Sequence, residues 1–120
     1  MSPLATPDNL AFDDAGRMWI ATDGVDDALG PNDGVFVVDT EGPLRGRCRQ
    51  FLSAPVGSEV TGPAFTPDNR TFFLAIQHPG EVAKASYDNP GSRWPDNHPD
   101  FPPRPSVVAI YREDGGKVGT

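Results

Sequence analysis

The chain has one cysteine, no long apolar run and few basic residues among its 120 residues. Cys48 has no second cysteine with which to form an internal disulfide, and its position between two arginines on an alternating strand predicts a packing role. No stretch of about eighteen or more apolar residues occurs, so the sequence predicts no membrane-spanning helix. The first ten residues also lack the basic start and apolar core that are typical of a signal peptide.

Basic residues are outnumbered by acidic ones, with 10 Lys and Arg against 17 Asp and Glu, which gives a formal net charge of -7. A surface with this balance repels phosphate backbones and anionic lipids, so nucleic acid and membrane are not expected as partners. An acidic surface of this kind favours cations as binding partners.

Helical patterning is also missing. The 14 prolines and 13 glycines interrupt the chain so often that no window of about a dozen residues shows the apolar spacing of an amphipathic helix. The sequence therefore predicts an all-β protein built from short strands and loops.

An internal repeat is present instead. Residues 11–21 (AFDDAGRMWIA) resemble residues 64–74 (AFTPDNRTFFL), 53 positions later, and each copy reads as a turn followed by an apolar strand. A period near fifty residues made of strands and turns indicates the blades of a β-propeller, each of which buries its faces only against its neighbours. The chain is therefore expected to be part of a larger assembly.

The fold that we predict is a partial β-propeller of about two antiparallel four-stranded blades, forming a single domain over residues 1–120. Blade one is placed at about residues 7–55 and blade two at about residues 59–116, with a long irregular insertion at residues 78–105. The predicted strands are residues 10–13, 18–22, 34–39, 47–54, 62–66, 71–77 and 106–111.

The sequence also predicts the facing of side chains in the fourth strand and the end of the second blade. In residues 47–54, alternation predicts Cys48 and Leu52 on one face and Phe51 on the other. No convincing fourth strand follows residue 111. The unpaired edges that result would favour self-association or pairing with remaining blades.

Polar clusters occur where the predicted strands begin or end, which is where propellers build sites around their channel. They are Asp8 and Asn9 before the first strand, Asp23 at the start of an acidic loop that extends to Asp33, and Glu59 ahead of the second blade. Carboxylate and amide oxygens without competing lysines are suited to calcium. The alternative for the acidic loop is a solvated turn, whereas turn propensity explains Glu59 poorly.

Other candidate residues give weaker signals. His78 could bind a metal or transfer a proton, but no second histidine lies at a helpful spacing, so a structural role is the alternative. Trp94 is expected to anchor the long insertion by its ring, and Trp19 is expected to be a core residue of its strand. No serine or cysteine has an evident histidine partner, so no catalytic nucleophile is assigned.

Four segments together resemble the carboxy-terminal part of PhoX-type alkaline phosphatases. They are residues 7–13 (PDNLAFD), 18–24 (MWIATDG), 59–68 (EVTGPAFTPD) and 77–81 (QHPGE), supported by a late strand at residues 105–108. The resemblance implies an exported, calcium-dependent phosphomonoesterase on a β-propeller, with calcium and iron at one end of the channel. It implies Glu59 as a calcium ligand, with Asn9, Asp8 and Asp23 as further candidates for the same rim.

Three functional hypotheses follow. In the first, the chain is the terminal segment of such a phosphatase, with a phosphate monoester as substrate of the complete enzyme; it contributes part of a metal site and is inactive alone. In the second, it is a non-catalytic propeller-repeat module that binds calcium or a protein partner. In the third, it is a gluconolactonase-like propeller hydrolase that uses one divalent ion.

Overall fold

The computed structural model of the protein describes residues 4–24 and 32–120. The described chain is all-β, with seven strands in two antiparallel sheets and no helix. No helix in these ranges is therefore long and apolar enough to cross a membrane. The strands are β1 (Pro7–Phe12), β2 (Met18–Thr22), β3 (Gly34–Val38), β4 (Cys48–Ser53), β5 (Glu59–Phe65), β6 (Thr71–Gln77) and β7 (Ser106–Tyr111).

The first sheet is a four-stranded meander in the order β1-β2-β3-β4, and the second has the order β5-β6-β7. Matching turns begin both sheets: the amide of Gly16 donates to the carbonyl of Asp13 at 3.0 Å, and Asn69 donates to Thr66 at 2.8 Å. Gly16 and Asn69 both have positive φ, which Gly and Asn adopt at low cost. The sequence repeat thus corresponds to a repeated hairpin, and the all-β fold with two sheets consistent with a partial propeller is confirmed.

The second sheet has three strands, one fewer than a complete four-stranded blade, and the expectation that no fourth strand follows residue 111 is confirmed. Residues 112–120, all of which the structure describes, contain no strand. The chain turns after β7 and returns to the β5-β6 turn, where the Val118 amide donates to the Asn69 carbonyl at 2.9 Å. This return buries Val118 in the core instead of extending the sheet.

The core lies between the two sheets and is centred on Trp19, which is completely buried. Its ring contacts those of Phe51, Phe65 and Phe72, with centroid separations of 4.7, 5.0 and 4.9 Å. The pairs with Phe51 and Phe65 are edge-to-face and the pair with Phe72 is tilted, and such aromatic packing adds to the free energy gained from burying the rings. The predicted core position of Trp19 is confirmed, and the core fixes the two sheets against each other.

A β-bulge in β4 corrects the predicted facing of its side chains. Val35 pairs with Leu52 and Phe36 pairs with Gln50, so Phe51 is an extra residue between two pairs. Because the extra residue shifts the alternation by one, Leu52 lies on the core side with Phe51, while Cys48 pairs with Val38 on the other face. The prediction that Cys48 and Leu52 share a face was therefore wrong.

The segment between β6 and β7 has neither helix nor strand in residues 78–105, all of which the structure describes. Hydrogen bonds hold it in place: the Gly80 amide donates to the Val56 carbonyl at 2.7 Å, and the Arg104 amide donates to the Trp94 carbonyl at 3.1 Å. Trp94 is partly buried against the core, as expected. The assignment of the whole chain to one domain stays a prediction.

Candidate metal centre

Three carboxylates meet at one end of the paired sheets. Asp8, Asp23 and Glu59 each offer one oxygen, and these three oxygens lie within 4.8 Å of one another. Asp8 and Asp23 are exposed, and Glu59 is half-buried. Like charges at this separation repel one another, and a cation between them would turn the repulsion into attraction.

The first two carboxylates are placed by the β1-β2 hairpin. Pro7 pairs with Thr22 and Asn9 pairs with Ala21, so Asp8 lies in a bulge between the pairs. The amide of Asp23 donates to the carbonyl of Thr6 at 3.1 Å, which holds the end of β2 beside the start of β1. A bulge redirects the side chain of its extra residue. The side chains of Asp8 and Asp23 are thus brought to the same edge of the hairpin.

The third carboxylate comes from the other sheet, because Glu59 is the first residue of β5, the strand that packs against β1 and β2. Asn9 joins the two sheets: its side-chain oxygen accepts hydrogen bonds from the Thr61 hydroxyl at 2.6 Å and from the Gly62 amide at 3.0 Å. Its amide group also donates to Asp8. Asn9 therefore fixes Glu59's strand relative to Asp8, and its predicted role as a metal ligand stays a prediction.

Both oxygens of Glu59 are contacted by the end of β6. Gln77 pairs with Glu59 across the hairpin and donates a hydrogen bond to Oε1 at 2.8 Å. The Nε2 atom of His78 lies 3.3 Å from Oε2. Two contacts of this kind restrict the rotation of the carboxylate, as the neighbours of a metal-binding carboxylate do in many metal sites.

His78 faces three acceptors. Its Nδ1 lies 3.1 Å from a carboxylate oxygen of Glu81 and 3.2 Å from the carbonyl oxygen of Gly57, in addition to the Glu59 contact. Burial alone would lower the pKa of His78, but these acceptors stabilise the charged ring and together raise the pKa above its ordinary value of 6.5. The backbone φ of His78 is +33°, a region that non-glycine residues seldom occupy.

The acidic loop has a partly structural explanation. Asp33 is buried, accepts a hydrogen bond from the Thr22 hydroxyl at 2.6 Å, and accepts another from the Gly24 amide at 3.0 Å. These bonds join the two ends of the loop. Asp26 and Asp27, which the sequence placed in the same acidic cluster, lie outside the described residues.

Sequence reasoning named all three carboxylates of the cluster, and the structure brings them together. It gave no role to Gln77. A plain hairpin that turns at residues 66–69 would place position 77 opposite position 60, and the register shift in β5 brings it opposite Glu59 instead. Sequence reasoning treated His78 separately from Glu59, since eighteen intervening residues hide a contact that only the strand pairing produces.

Comparisons with known proteins identify the family. A family model described as alkaline phosphatase PhoX matches residues 1–80. Among solved structures, the chain is similar to Pseudomonas fluorescens PhoX in complex with vanadate, a transition state analogue, with 47% identity and a TM-score of 0.77. That match covers 94% of this chain and 19% of the other, so the chain spans about a fifth of that protein's length. A search of curated proteins found no match.

The family model covers more than half of the chain, and the structural match combines high identity with nearly complete coverage of the chain. The segments that suggested the resemblance, residues 7–13, 18–24, 59–68 and 77–81, supply the carboxylates and most of the contacts described above. The chain therefore belongs to the PhoX family of alkaline phosphatases.

Proposed function

We propose that the chain supplies one side of the calcium site of a PhoX-type phosphomonoesterase, with Asp8, Asp23 and Glu59 as ligands. The observation that carries the proposal is the convergence of three carboxylates from three different strand ends in a member of this family. Residues brought together from two sheets for no packing purpose are better explained by a bound cation than by solvation.

The donor set fits calcium in particular. All three groups are carboxylates, and hard oxygen donors at loose geometry are what calcium prefers. Calcium at such a site would attract the oxygens of a phosphate ester and offset their charge as it grows during the reaction. The half-buried position of Glu59 and its contacts to Gln77 and His78 would keep one ligand oriented before the ion arrives.

Iron, which the family resemblance implies for the complete enzyme, is not assigned to this segment. The carboxylate cluster includes neither histidine nor cysteine among the described residues, and Cys48 lies on β4, outside the cluster. Iron ligands and the cationic groups that hold phosphate would come from outside this chain. We therefore propose that the chain alone does not hydrolyse phosphate esters.

Support for a phosphate monoester as substrate comes from the family and from the related structure, which holds vanadate as a transition state analogue. An exported location is part of the same proposal. A calcium site with few ligands binds weakly and fills at the higher calcium concentrations found outside the cytoplasm.

A complementation assay tests this function. Hydrolysis of a chromogenic phosphate monoester would be measured for the chain alone, for the remaining part of a PhoX-family enzyme alone, and for the mixture, with calcium and with a chelator. We expect calcium-dependent activity in the mixture only. Activity in neither part nor the mixture, together with calcium-dependent melting of the chain, would favour the non-catalytic calcium-binding module.

A further inference from the structure

We propose that an apolar groove beside the carboxylate cluster binds the uncharged organic group of the phosphate ester, with a preference for aryl groups. The groove has a volume of about 400 Å³ and is lined by His78, Glu81, Ala85, Tyr87 and prolines of the insertion, among them Pro103. This inference rests on the proposed function, because it assigns a subsite to the same reaction.

The position of the groove follows from a shared wall. His78 and Glu81 line the groove, and they also line a smaller cleft of about 240 Å³ whose other side includes Asp23 and Gly57. Asp23 belongs to the carboxylate cluster, and His78 contacts Glu59. A phosphate ester whose phosphoryl group lies at the cluster would therefore extend its organic group past His78 into the groove.

The residues that line the groove favour an uncharged aromatic group as ligand. Most of the lining residues are prolines, an alanine and Tyr87, which is 77% exposed and available for stacking. The only ionisable groups among the lining residues, all of them described, are Glu81, His78 and the Tyr87 phenol. A negatively charged organic group would meet the Glu81 carboxylate, so a neutral, flat group fits best. The volume is sufficient for a substituted ring.

The groove is preformed by close packing within the insertion. A Cβ atom added to Gly91 would lie 2.5 Å from a methyl carbon of Val82 and 2.7 Å from the Gly80 carbonyl oxygen. Arg93 donates hydrogen bonds to the carbonyls of Pro99 at 2.7 Å and Phe101 at 3.2 Å, which folds the outer part of the insertion on itself. A rigid groove binds without the entropic cost of ordering a loop.

Most of the groove is built from the insertion, which follows the carboxylates in the chain. The family model ends at residue 80, whereas most residues of the groove follow that position. The carboxylates all lie within the matched part. The match to the solved structure covers 94% of the chain and therefore includes most of the insertion as well.

The test uses phenol as probe and the 120-residue chain labelled with ¹⁵N. Phenol carries no phosphate and needs no metal, so its binding is independent of the proposed calcium site. We expect titration to shift the amide signals of Val82, Ala85 and Tyr87 in the presence of a chelator, and glycerol at equal concentration to leave them unmoved. Tyr87→Ala should weaken phenol binding by about fivefold or more.

Tyr111→Ala is the matched control, because Tyr111 is 70% exposed on β7 and does not line the groove. It should leave phenol binding unchanged. Phenol shifts that are absent, that lie outside the groove, or that persist equally in Tyr87→Ala would overturn the proposal. The high exposure of both tyrosines means that neither substitution removes buried packing.

A second measurement tests the link to the metal centre. Gadolinium, a paramagnetic substitute for calcium, should broaden the signals of bound phenol, whereas diamagnetic lanthanum should not. Bound phenol that gadolinium does not affect, in a protein whose carboxylates hold the ion, would overturn the assignment as a leaving-group subsite. If neither ion binds, the proposed calcium site is refuted. The phenol titration then tests the proposed binding of aryl groups in the groove independently of the metal.

Discussion

At the scale of single residues, the buried Asp13 carboxylate holds the β1-β2 turn next to Trp19. The Asp13 carboxylate accepts hydrogen bonds from the amides of Ala15 and Arg17 at 3.0 and 2.9 Å, from the Arg17 side chain at 2.7 Å and from the Trp19 indole at 2.9 Å. Asp13 itself is 7% exposed. These four hydrogen-bond partners of the carboxylate are all donors, so they favour the ionised form in the folded state.

Asp13→Ala should lower the free energy of unfolding by about 2–3 kcal/mol, because it leaves the Trp19 and Arg17 donors without their acceptor. Urea denaturation with tryptophan fluorescence measures this change. Thr66→Ala is the matched control, since Thr66 occupies the equivalent position of the second turn and binds mainly to neighbouring turn residues. An equal loss in both variants would contradict the special role of Asp13.

Stability should fall in acid through the same group. Burial alone would raise the pKa of Asp13, but the hydrogen bonds from Trp19 and Arg17 outweigh burial and lower the pKa below 3.8. The carboxylate therefore stabilises the fold fully above its unfolded pKa, and this contribution is lost as the pH falls through the lower folded pKa. Unfolding measured between pH 6 and the acid limit should show a smaller acid dependence in Asp13→Asn than in the native chain.

His78 should titrate above its ordinary pKa of 6.5 in the metal-free chain. Burial opposes protonation, but the acceptors on Gly57, Glu59 and Glu81 outweigh it and raise the pKa of the ring. NMR titration in a chelator measures the midpoint, and Glu81→Gln should lower it by removing one charge. A midpoint that Glu81→Gln leaves unchanged would show that the Glu81 contact at 3.1 Å does not form in solution.

At the scale of elements, the regular strands were predicted and the bulges were not. The bounds of β2, β6 and β7 coincide with the predictions, because apolar runs flanked by turn residues define them. Alternation assumes a constant period of two, and each bulge breaks that period. The bulge in β4 has no distinct sequence signal, whereas Gly62 and Pro63 mark the bulge in β5. For this reason the predicted face of Leu52 was wrong. The predicted start of β5 was also wrong, because the strand begins three residues earlier.

The bulge in β5 explains why equivalent phenylalanines behave differently in the repeat. Thr61 pairs with Ala75, but Ala64 pairs with Phe73, so the register shifts across Gly62 and Pro63. The shift turns Phe65 onto the core, where it contacts Trp19, whereas its counterpart Phe12 is 60% exposed. Gly62 has a φ of +62°, which suits glycine, and Pro63 has no amide hydrogen to leave unpaired.

Asn9→Ala should destabilise the fold by about 1–2 kcal/mol, because it removes the acceptor of two hydrogen bonds that hold this bulge against β1. Thermal or urea unfolding measures the loss. Thr61→Val removes one of the two bonds and keeps the shape of the side chain, so its effect should be the smaller one. Wild-type stability in Asn9→Ala would show that β5 is held by core packing alone.

At the scale of the whole molecule, both outer sheet faces retain exposed apolar side chains. Leu10 and Phe12 of β1 pair with Ile20 and Met18, on the face opposite to Trp19. On β7, Val107 and Tyr111 are 74% and 70% exposed, on the face opposite to the core. These two apolar faces and the edge strands β4 and β7 are suited to packing against further sheets. Such packing is expected for a chain that spans about a fifth of the length of Pseudomonas fluorescens PhoX.

The isolated chain should therefore self-associate as its concentration rises. Analytical ultracentrifugation over a range of concentrations measures the average mass, which should increase. The double variant Val107→Lys and Tyr111→Glu should reduce the association without loss of folding, since both side chains are largely exposed. A monomer at all concentrations would contradict the expectation that these faces need a partner.

Calorimetric titration of the chain with calcium is the decisive measurement for a calcium site formed by Asp8, Asp23 and Glu59. We expect one bound ion, with a dissociation constant on the order of 10⁻⁴–10⁻³ M. Glu59→Gln should weaken binding about tenfold or more, whereas Asp88→Asn, an exposed aspartate outside the cluster, should not. Equal affinity in the native chain and in Glu59→Gln, or no calcium binding at all, would contradict the proposed calcium site.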